Sequence, residues 1–303
     1  MDRIYSTKLA DRVYMLDTYA LGQPKTVAAY VIKGPKVALV DCGYASSYES
    51  VLEGLAEIGV APSDVRYLIP THVHLDHSGA AGRLLRDMPN AEVIAHQKAV
   101  PHLVDPTKLM ESATKVFGEV IMQLYGAPEP IQMGRITAVD TEAHLDLGDG
   151  MTATLVHSPG HAPHQISVML DESKDLLTAD AVGIVYPELS TVIPTTPPPS
   201  FDPDRLVSSV RSLELMGPVR LLTPHFGPRS DVAYVFENTK EKVMRWVRDV
   251  GDMRGRGASV DDAAVAMELR VSAETGVKDL PIYVKVSIRT SVMGIMQYLN
   301  RKT

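Results

Sequence analysis

The sequence predicts an α/β layered fold, and three observations carry that prediction. Short runs rich in Val, Ala, Leu and Tyr, bounded by Gly, Pro and Asp, alternate with segments whose apolar residues recur at helical spacing. Strand signals stop near residue 231, after which only helical patterns remain. With 303 residues, 45% hydrophobic and 22% charged, the chain has enough apolar material for one large or two modest cores, which excludes disorder. Strands and helices mixed in this order pack as layers.

Residues 11–16, 27–32 and 37–41 read as an opening meander, with Lys33-Gly34-Pro35-Lys36 supplying turn chemistry between the last two. Ser47 can cap a helix whose apolar residues Val51, Leu52, Leu55 and Ile58 share a face until Gly59 ends it. A strand near 65–70, a helix over 78–88, a strand over 92–95 and a helical excursion over 105–125 follow, and short strands return between 135 and 179. Asp202 and Pro203 then form an N-cap and first-turn pair for a helix through Leu206, Val210 and Leu213, closed by Gly217-Pro218. A strand at 219–222 delivers the chain to Pro224-His225. Beyond it, Val232, Val235, Phe236, Val243, Val247 and Val250 mark one helix, Ser259 with Asp262 a capping box for a second, and Ile288, Val292, Ile295 and Leu299 a third. The proline-rich stretch 194–199 is a loop. The expected division is a catalytic region over 1–230 and a helical extension over 231–303.

Thirty basic against 37 acidic side chains leave a net charge of -7, so no broad cationic surface is available for a phosphate backbone and no nucleic acid partner is expected. Cys42, the single cysteine, excludes a disulfide framework and an all-cysteine zinc site. No stretch approaches 18 successive apolar residues, and the opening Met1, Asp2, Arg3 soon alternates polar with apolar residues. A soluble, cytoplasmic protein acting on a small molecule, without a membrane or an export signal, is the expectation. The ten histidines are the most informative feature of the composition.

Thr71-His72-Val73-His74-Leu75-Asp76-His77 lies between a predicted strand and a predicted helix, and places four metal-ligand side chains within six residues. Imidazoles suit zinc and related ions, and a carboxylate offsets their charge. Ser158-Pro159-Gly160-His161, Leu177-Thr178-Ala179-Asp180 and Thr223-Pro224-His225-Phe226-Gly227 each put one more donor type after a short apolar run. Alone, each would read as a turn residue or a cap. Loops at strand ends on one sheet edge can instead meet at a single cleft.

This pattern, HxHxDH followed by a distant His, Asp and His, resembles the metallo-β-lactamase superfamily at all seven ligand positions. The resemblance implies an αβ/βα four-layer sandwich of two sheets flanked by helices, with metals at one edge. It implies His72, His74 and His161 on one ion, Asp76, His77 and His225 on a second, and Asp180 bridging both. Asp41 resembles the family's aspartate that orients a ligand imidazole. The implied cofactors are two divalent ions per chain, zinc first, with iron or manganese as alternatives, and the implied catalytic carboxylates are Asp76 and Asp180. His74 stands where flavodiiron proteins carry Glu, which argues against oxygen reduction. The ligand set is most similar to glyoxalase II and related thioesterases and lactonases, although the glutathione-binding pattern of glyoxalase II is not found after His225.

The implied activity is hydrolysis of a small thioester, ester or lactone by hydroxide generated at two metals. Two rivals stay open: hydrolysis of small phosphodiesters or phosphonates on the same centre, and a mononuclear-iron persulfide dioxygenase. His164 and Tyr186 are candidate substrate contacts, as is His157; Tyr186 and the proline-rich loop after Asp180 are expected to line one wall of the cleft, while His96, His102 and His144 read as structural or exposed. Cys42 reads as a buried small hydrophobe. The C-terminal helices either wall the pocket, shield the sandwich or make a homodimer contact. Because the seven donors precede residue 229, truncation after Pro228 is expected to change substrate preference more than metal content.

Overall fold

Alternation along one strand shows how the layers form. All five residues of Ala28–Ile32 are buried; Tyr30 and Ile32 join the cluster between two sheets, while Ala29 and Val31 join a second cluster beneath the outer helices. A strand covered on both faces reads as a continuous apolar run, which is how the meander announces itself in the sequence.

The structure, a computed structural model, describes residues 3–186 and 189–302. The chain's first two residues, on which the reading of a missing export signal partly rests, lie outside the described residues. One sheet holds β1 (Ser6–Lys8), β2 (Val13–Asp17), β3 (Ala28–Ile32), β4 (Val37–Val40), β5 (Val65–Ile69), β6 (Glu92–His96) and β7 (Ile136–Val139), in that order. Its first four strands pair antiparallel and β4 to β7 pair parallel. The other holds β8 (Glu142–Gly148), β9 (Met151–His157), β10 (Ile166–Leu170), β11 (Asp175–Leu177), β12 (Arg220–Thr223) and β13 (Gly227–Arg229), ordered from β13 back to β8.

Helices α1 (Tyr48–Glu57), α2 (Leu75–Ser78), α3 (Ala81–Leu84), α4 (Val100–Val104), α5 (Thr107–Phe117) and α6 (Glu119–Tyr125) belong to the first half. Val51 and Leu55 of α1, Leu84 of α3 and Leu103 of α4 cover the outer face of the first sheet. Helices α7 (Pro203–Leu215), α8 (Val232–Gly255), α9 (Val260–Thr275) and α10 (Ile282–Lys302) follow. Leu206, Phe236, Trp246, Met267, Ile288 and Val292 from these four helices lie in the same apolar cluster as Tyr30, Leu155 and Val168 of the two sheets. The result is the expected four-layer sandwich with C-terminal helices. Among the described residues no helix is long and apolar enough to cross a membrane.

Several local expectations need correction. The helix expected over 78–88 shrinks to the single turn α3, set off from the turn α2 before it because the Ala80 N–H donates to the Gly43 carbonyl at 3.2 Å; neighbouring backbone also packs close here, a Cβ on Gly79 falling 2.6 Å from the Ala45 nitrogen. The 105–125 excursion breaks at Gly118, whose φ of 80° only glycine adopts readily. Ser47 makes no capping bond, since a 3₁₀ turn at Ala45–Ser47 already feeds α1 and leaves Ser47 with helical φ and ψ. Strands β1 and β13 and helix α4 carry too few residues for periodicity to reveal them.

Strand direction decides where the site forms. β4 and β5 run parallel; β9 and β11 both pair antiparallel with β10, and β11 is parallel to β12. The C-terminal ends of β9, β11 and β12 therefore share one edge of their sheet, as do those of β4 and β5. Cross-sheet bonds bring the two edges together: Ala28 donates its N–H to the Pro224 carbonyl at 2.8 Å, Ile166 to Thr71 at 2.9 Å, and the Tyr30 hydroxyl to Thr223 at 2.7 Å.

Candidate metal centre

Each motif singled out in the sequence follows one of these strand ends: Asp41 after β4, the His72–His77 loop after β5, His161 after β9, Asp180 after β11 and His225 after β12. The structure brings the seven side chains into overlapping groups: His72, His74 and His161; His72, His77 and Asp180; Asp76, His77 and His225. Within each group the donor atoms lie no more than 4.8 Å apart. His72, His77, His161, Asp180 and His225 are buried, while His74 and Asp76 are partly exposed and mark the side open to solvent.

Four of the five imidazoles are held in the same way. Nδ1 of His72 faces the Thr71 hydroxyl at 3.1 Å, Nδ1 of His77 the Asp41 carboxylate at 2.8 Å, Nδ1 of His161 the Thr195 carbonyl at 3.0 Å and Nδ1 of His225 the Thr26 carbonyl at 3.2 Å. Each thereby turns Nε2 toward the centre, the arrangement by which proteins set the tautomer of a metal-binding histidine. His74 is reversed: its Nδ1 lies 2.9 Å from Nε2 of His72 and 2.8 Å from Nε2 of His161. Asp180 links the two sides, with Oδ2 3.3 Å from His161 Nε2 and Oδ1 3.5 Å and 3.4 Å from His77 and His225 Nε2. Its own N–H donates to Gln165 Oε1. Asp76 Oδ2 stands 3.6 Å from Nε2 of both His77 and His225.

Burial and charge pull the protonation states apart. Burial, then neighbouring imidazoles, hold His72 well below the ordinary histidine range and bring His74 to about 3. Burial also lowers His161, with Asp180 partly opposing. At His77 burial is outweighed by Asp76, Asp41 and Asp180, which push it up to about 10, and Asp180 and Asp76 raise His225 in the same way. Asp180 pays desolvation but is held below the carboxylate range by His77, His161 and His225. Even so, His77 Nε2 and Asp180 Oδ1 are buried with no hydrogen-bond partner among the described residues. Orphaned donor atoms of this kind fit a cation between them.

The residues around the centre divide clearly. Asp41, at a φ of 58°, accepts from the Thr71 N–H at 2.8 Å as well as facing His77, so it ties the β4 end to the His72–His77 loop. Tyr186 lies with its ring 6.3 Å from that of His225 and 5.0 Å from that of Tyr283. His164 is buried, its ring 6.3 Å from those of His72 and His74, and its Nδ1 finds no hydrogen-bond partner among the described residues. His157 instead donates to the Pro163 carbonyl and stacks on His96 at 4.0 Å. His144 pairs with Thr154 and Glu142. His102, read from the sequence as structural or exposed, stands 6.0 Å from His164 at the border of the site. Sequence reasoning did not find Tyr44, which stacks on Tyr125 at 4.2 Å and whose hydroxyl burial and Asp76 drive well above its usual range. Thr26 was also missed, and Thr195 was placed only through the proline-rich loop that holds it, because a backbone carbonyl leaves no residue signature.

A model of the metallo-beta-lactamase superfamily matches residues 22–237. The metallo-beta-lactamase fold-containing protein ST1585 of Sulfurisphaera tokodaii is 31% identical over 179 residues, 58% of this chain and 63% of that protein. Its crystal structure superposes with a TM-score of 0.66 over 90% of this chain and 94% of that chain, at 24% identity. N-acyl homoserine lactonase AttM of Azorhizobium caulinodans is 29% identical over 181 residues, 58% of this chain and 64% of the lactonase. Flavo-diiron protein FprA2 of Clostridium acetobutylicum is 27% identical over 161 residues, 53% of this chain and 34% of that protein. The chain covers less than two thirds of each of these curated relatives.

Proposed function

The chain belongs to the metallo-beta-lactamase superfamily, and from that premise we propose that it is a dinuclear metal-dependent hydrolase of small lactones, esters or thioesters. The observation that carries this reading is the placement of Asp180, whose two carboxylate oxygens face different histidine groups. His72, His74 and His161 would hold one divalent ion, Asp76, His77 and His225 the other, and Asp180 both. Nitrogen and carboxylate donors in these numbers suit zinc, with iron or manganese as alternatives. When bound, two such ions supply hydroxide at neutral pH and polarise a carbonyl oxygen.

The chain's own groups prepare the site. Asp41, Thr195 and Thr26 fix the direction of three imidazoles, so little rearrangement is required on binding. No thiol competes for the role of nucleophile: Cys42 is buried, its Sγ donates to the His77 carbonyl, and burial followed by Asp41 pushes its ionisation up. Leu75, Met122, Phe117 and the Tyr44–Tyr125 stack form an apolar group on the Asp76 side, suited to an acyl chain. His164 offers a neutral imidazole on the other side, burial and His74 holding it well below the histidine range, and Tyr186 borders His225. Both would contact a bound substrate.

The lactonase among the relatives makes a lactone the first substrate to try. Elemental analysis should find about two ions per chain, and a panel of γ-butyrolactone, aryl esters and acyl thioesters should be hydrolysed equally well in air and under nitrogen. A centre saturating at one iron, with oxygen consumed, would overturn the hydrolase reading.

A further inference from the structure

The centre is braced by the helices that follow it in sequence. In α10, Ser291 is buried; its hydroxyl donates to the Pro194 carbonyl at 2.9 Å and accepts the Thr196 N–H at 3.2 Å. The Thr196 hydroxyl donates back to the Ser291 carbonyl at 3.0 Å. One turn along, Gly294 meets the same loop: a Cβ there would lie 1.8 Å from the Thr196 carbonyl oxygen, so only glycine lets the loop approach. Between the two anchored residues sits Thr195, whose carbonyl accepts Nδ1–H of His161.

The same helices hold the preceding turn. Thr239 of α8 donates to the Val182 carbonyl at 2.9 Å, two residues beyond Asp180. Lys242 of α8, buried, bonds to Thr191 and to Glu274 of α9. Ile184 and Ile193 exchange N–H···O bonds at 2.8 Å and 2.9 Å, closing the loop between these anchors.

We propose that Ser291 and Gly294 are positioning residues for His161: α10 fixes the Thr195 carbonyl, and that carbonyl fixes the tautomer and direction in which His161 presents Nε2. The proposal rests on His161 being a ligand, as assigned above. A freed Thr195 carbonyl would let the imidazole rotate or exchange tautomers, and loss of such an outer partner lowers metal affinity by roughly 10- to 100-fold. The loss should fall on the ion held by His72, His74 and His161, and leave the one held by Asp76, His77 and His225.

The test uses the full chain with Ser291→Ala and, as the milder change, Thr196→Val, which removes one bond at constant shape. Ile288→Ala, one turn before Ser291 in α10 and part of the core without a bond to the loop, is the control for lost packing. Cobalt(II) titration followed by its visible absorption reports each binding step, and long-range ¹H–¹⁵N spectra of the metal-free protein report the His161 tautomer. Expected is one weakened step of two and a His161 signal no longer fixed as Nδ1–H in both variants, with Ile288→Ala less stable but unchanged in both readouts. Unaltered affinities and tautomer in the two loop variants, or equal weakening in Ile288→Ala, would overturn the proposal. Were the unmodified chain to bind no cobalt, the ligand assignment would fall, and the tautomer readout would still decide whether α10 positions His161.

Discussion

At the scale of single residues, the contrast between Asp180 and His144 is the sharpest consequence of the geometry. Asp180 is buried among three imidazoles, so Asp180→Ala should remove metal from the purified protein and lower turnover by at least 100-fold, since it strips charge and a shared donor together. His144 is exposed and pairs, among the described residues, with Thr154 and Glu142, so His144→Ala should change neither; elemental analysis and initial rates check both. His96 carries a prediction of another kind. Burial, then His157 and Lys98, lower it to about 4, so between pH 6.5 and 4 the unfolded chain binds a proton that the native state refuses. Stability is therefore whole above 6.5 and falls as the pH drops toward 4. His96→Asn keeps an acceptor for the Lys98 N–H, which His96 Nδ1 now receives at 3.1 Å, and cannot titrate. Its Tm should vary less with pH over that window; an unchanged profile would sink the assignment. Residues of this scale were legible where side-chain chemistry is unusual, as in His72 to His77, and silent where a carbonyl does the work, as at Thr195 and Thr26.

At the scale of elements, a shared residue type hides different physics. Asp202 has extended φ and ψ and its carboxylate accepts the Arg205 N–H at 3.0 Å. Ser47 occupies the same formal position before α1 without any such bond. Asp202→Ala should cost about 1 kcal/mol in denaturant melts and Ser47→Ala much less, because only the first removes a partner from an orphan helix N–H. Equal costs would mean that the turn before α1 depends on the Ser47 hydroxyl in some other way. Most strands of the two sheets, β1 and β13 excepted, and the helices α7 to α10 were readable because they show a period, an apolar run or a cap. β13, with three residues, and α4, with five, are set by their neighbours. The break between α2 and α3 is a tertiary event, since the Ala80 N–H donates to the Gly43 carbonyl at 3.2 Å rather than back to Asp76 within one continuous helix.

At the scale of the whole molecule, the helices after residue 231 mark where a sequence pattern stops short, since it left three partners open for them. Their apolar faces were plain in the sequence, but nothing in a periodic pattern says what a face will meet. The answer is the sandwich itself: Phe236, Trp246, Val250, Ile288, Val292 and Ile295 are all buried in the cluster that contains the inner faces of both sheets. Replacing one such side chain with alanine costs about 2 to 5 kcal/mol, against a total stability for a typical domain of about 5 to 15 kcal/mol. Truncation after Pro228 removes all of them, and with them Ser291 from the Thr195 loop. The shortened chain should then fail as a fold before it can change its substrate preference, appearing as insoluble or molten protein with no cooperative thermal transition and no retained metal. For the same reason the intact chain should melt in one transition by circular dichroism and calorimetry. A truncated protein that stays soluble, melts cooperatively and keeps two metals would restore the view of these helices as an appended wall, and would separate the pocket from the core to which the structure joins it.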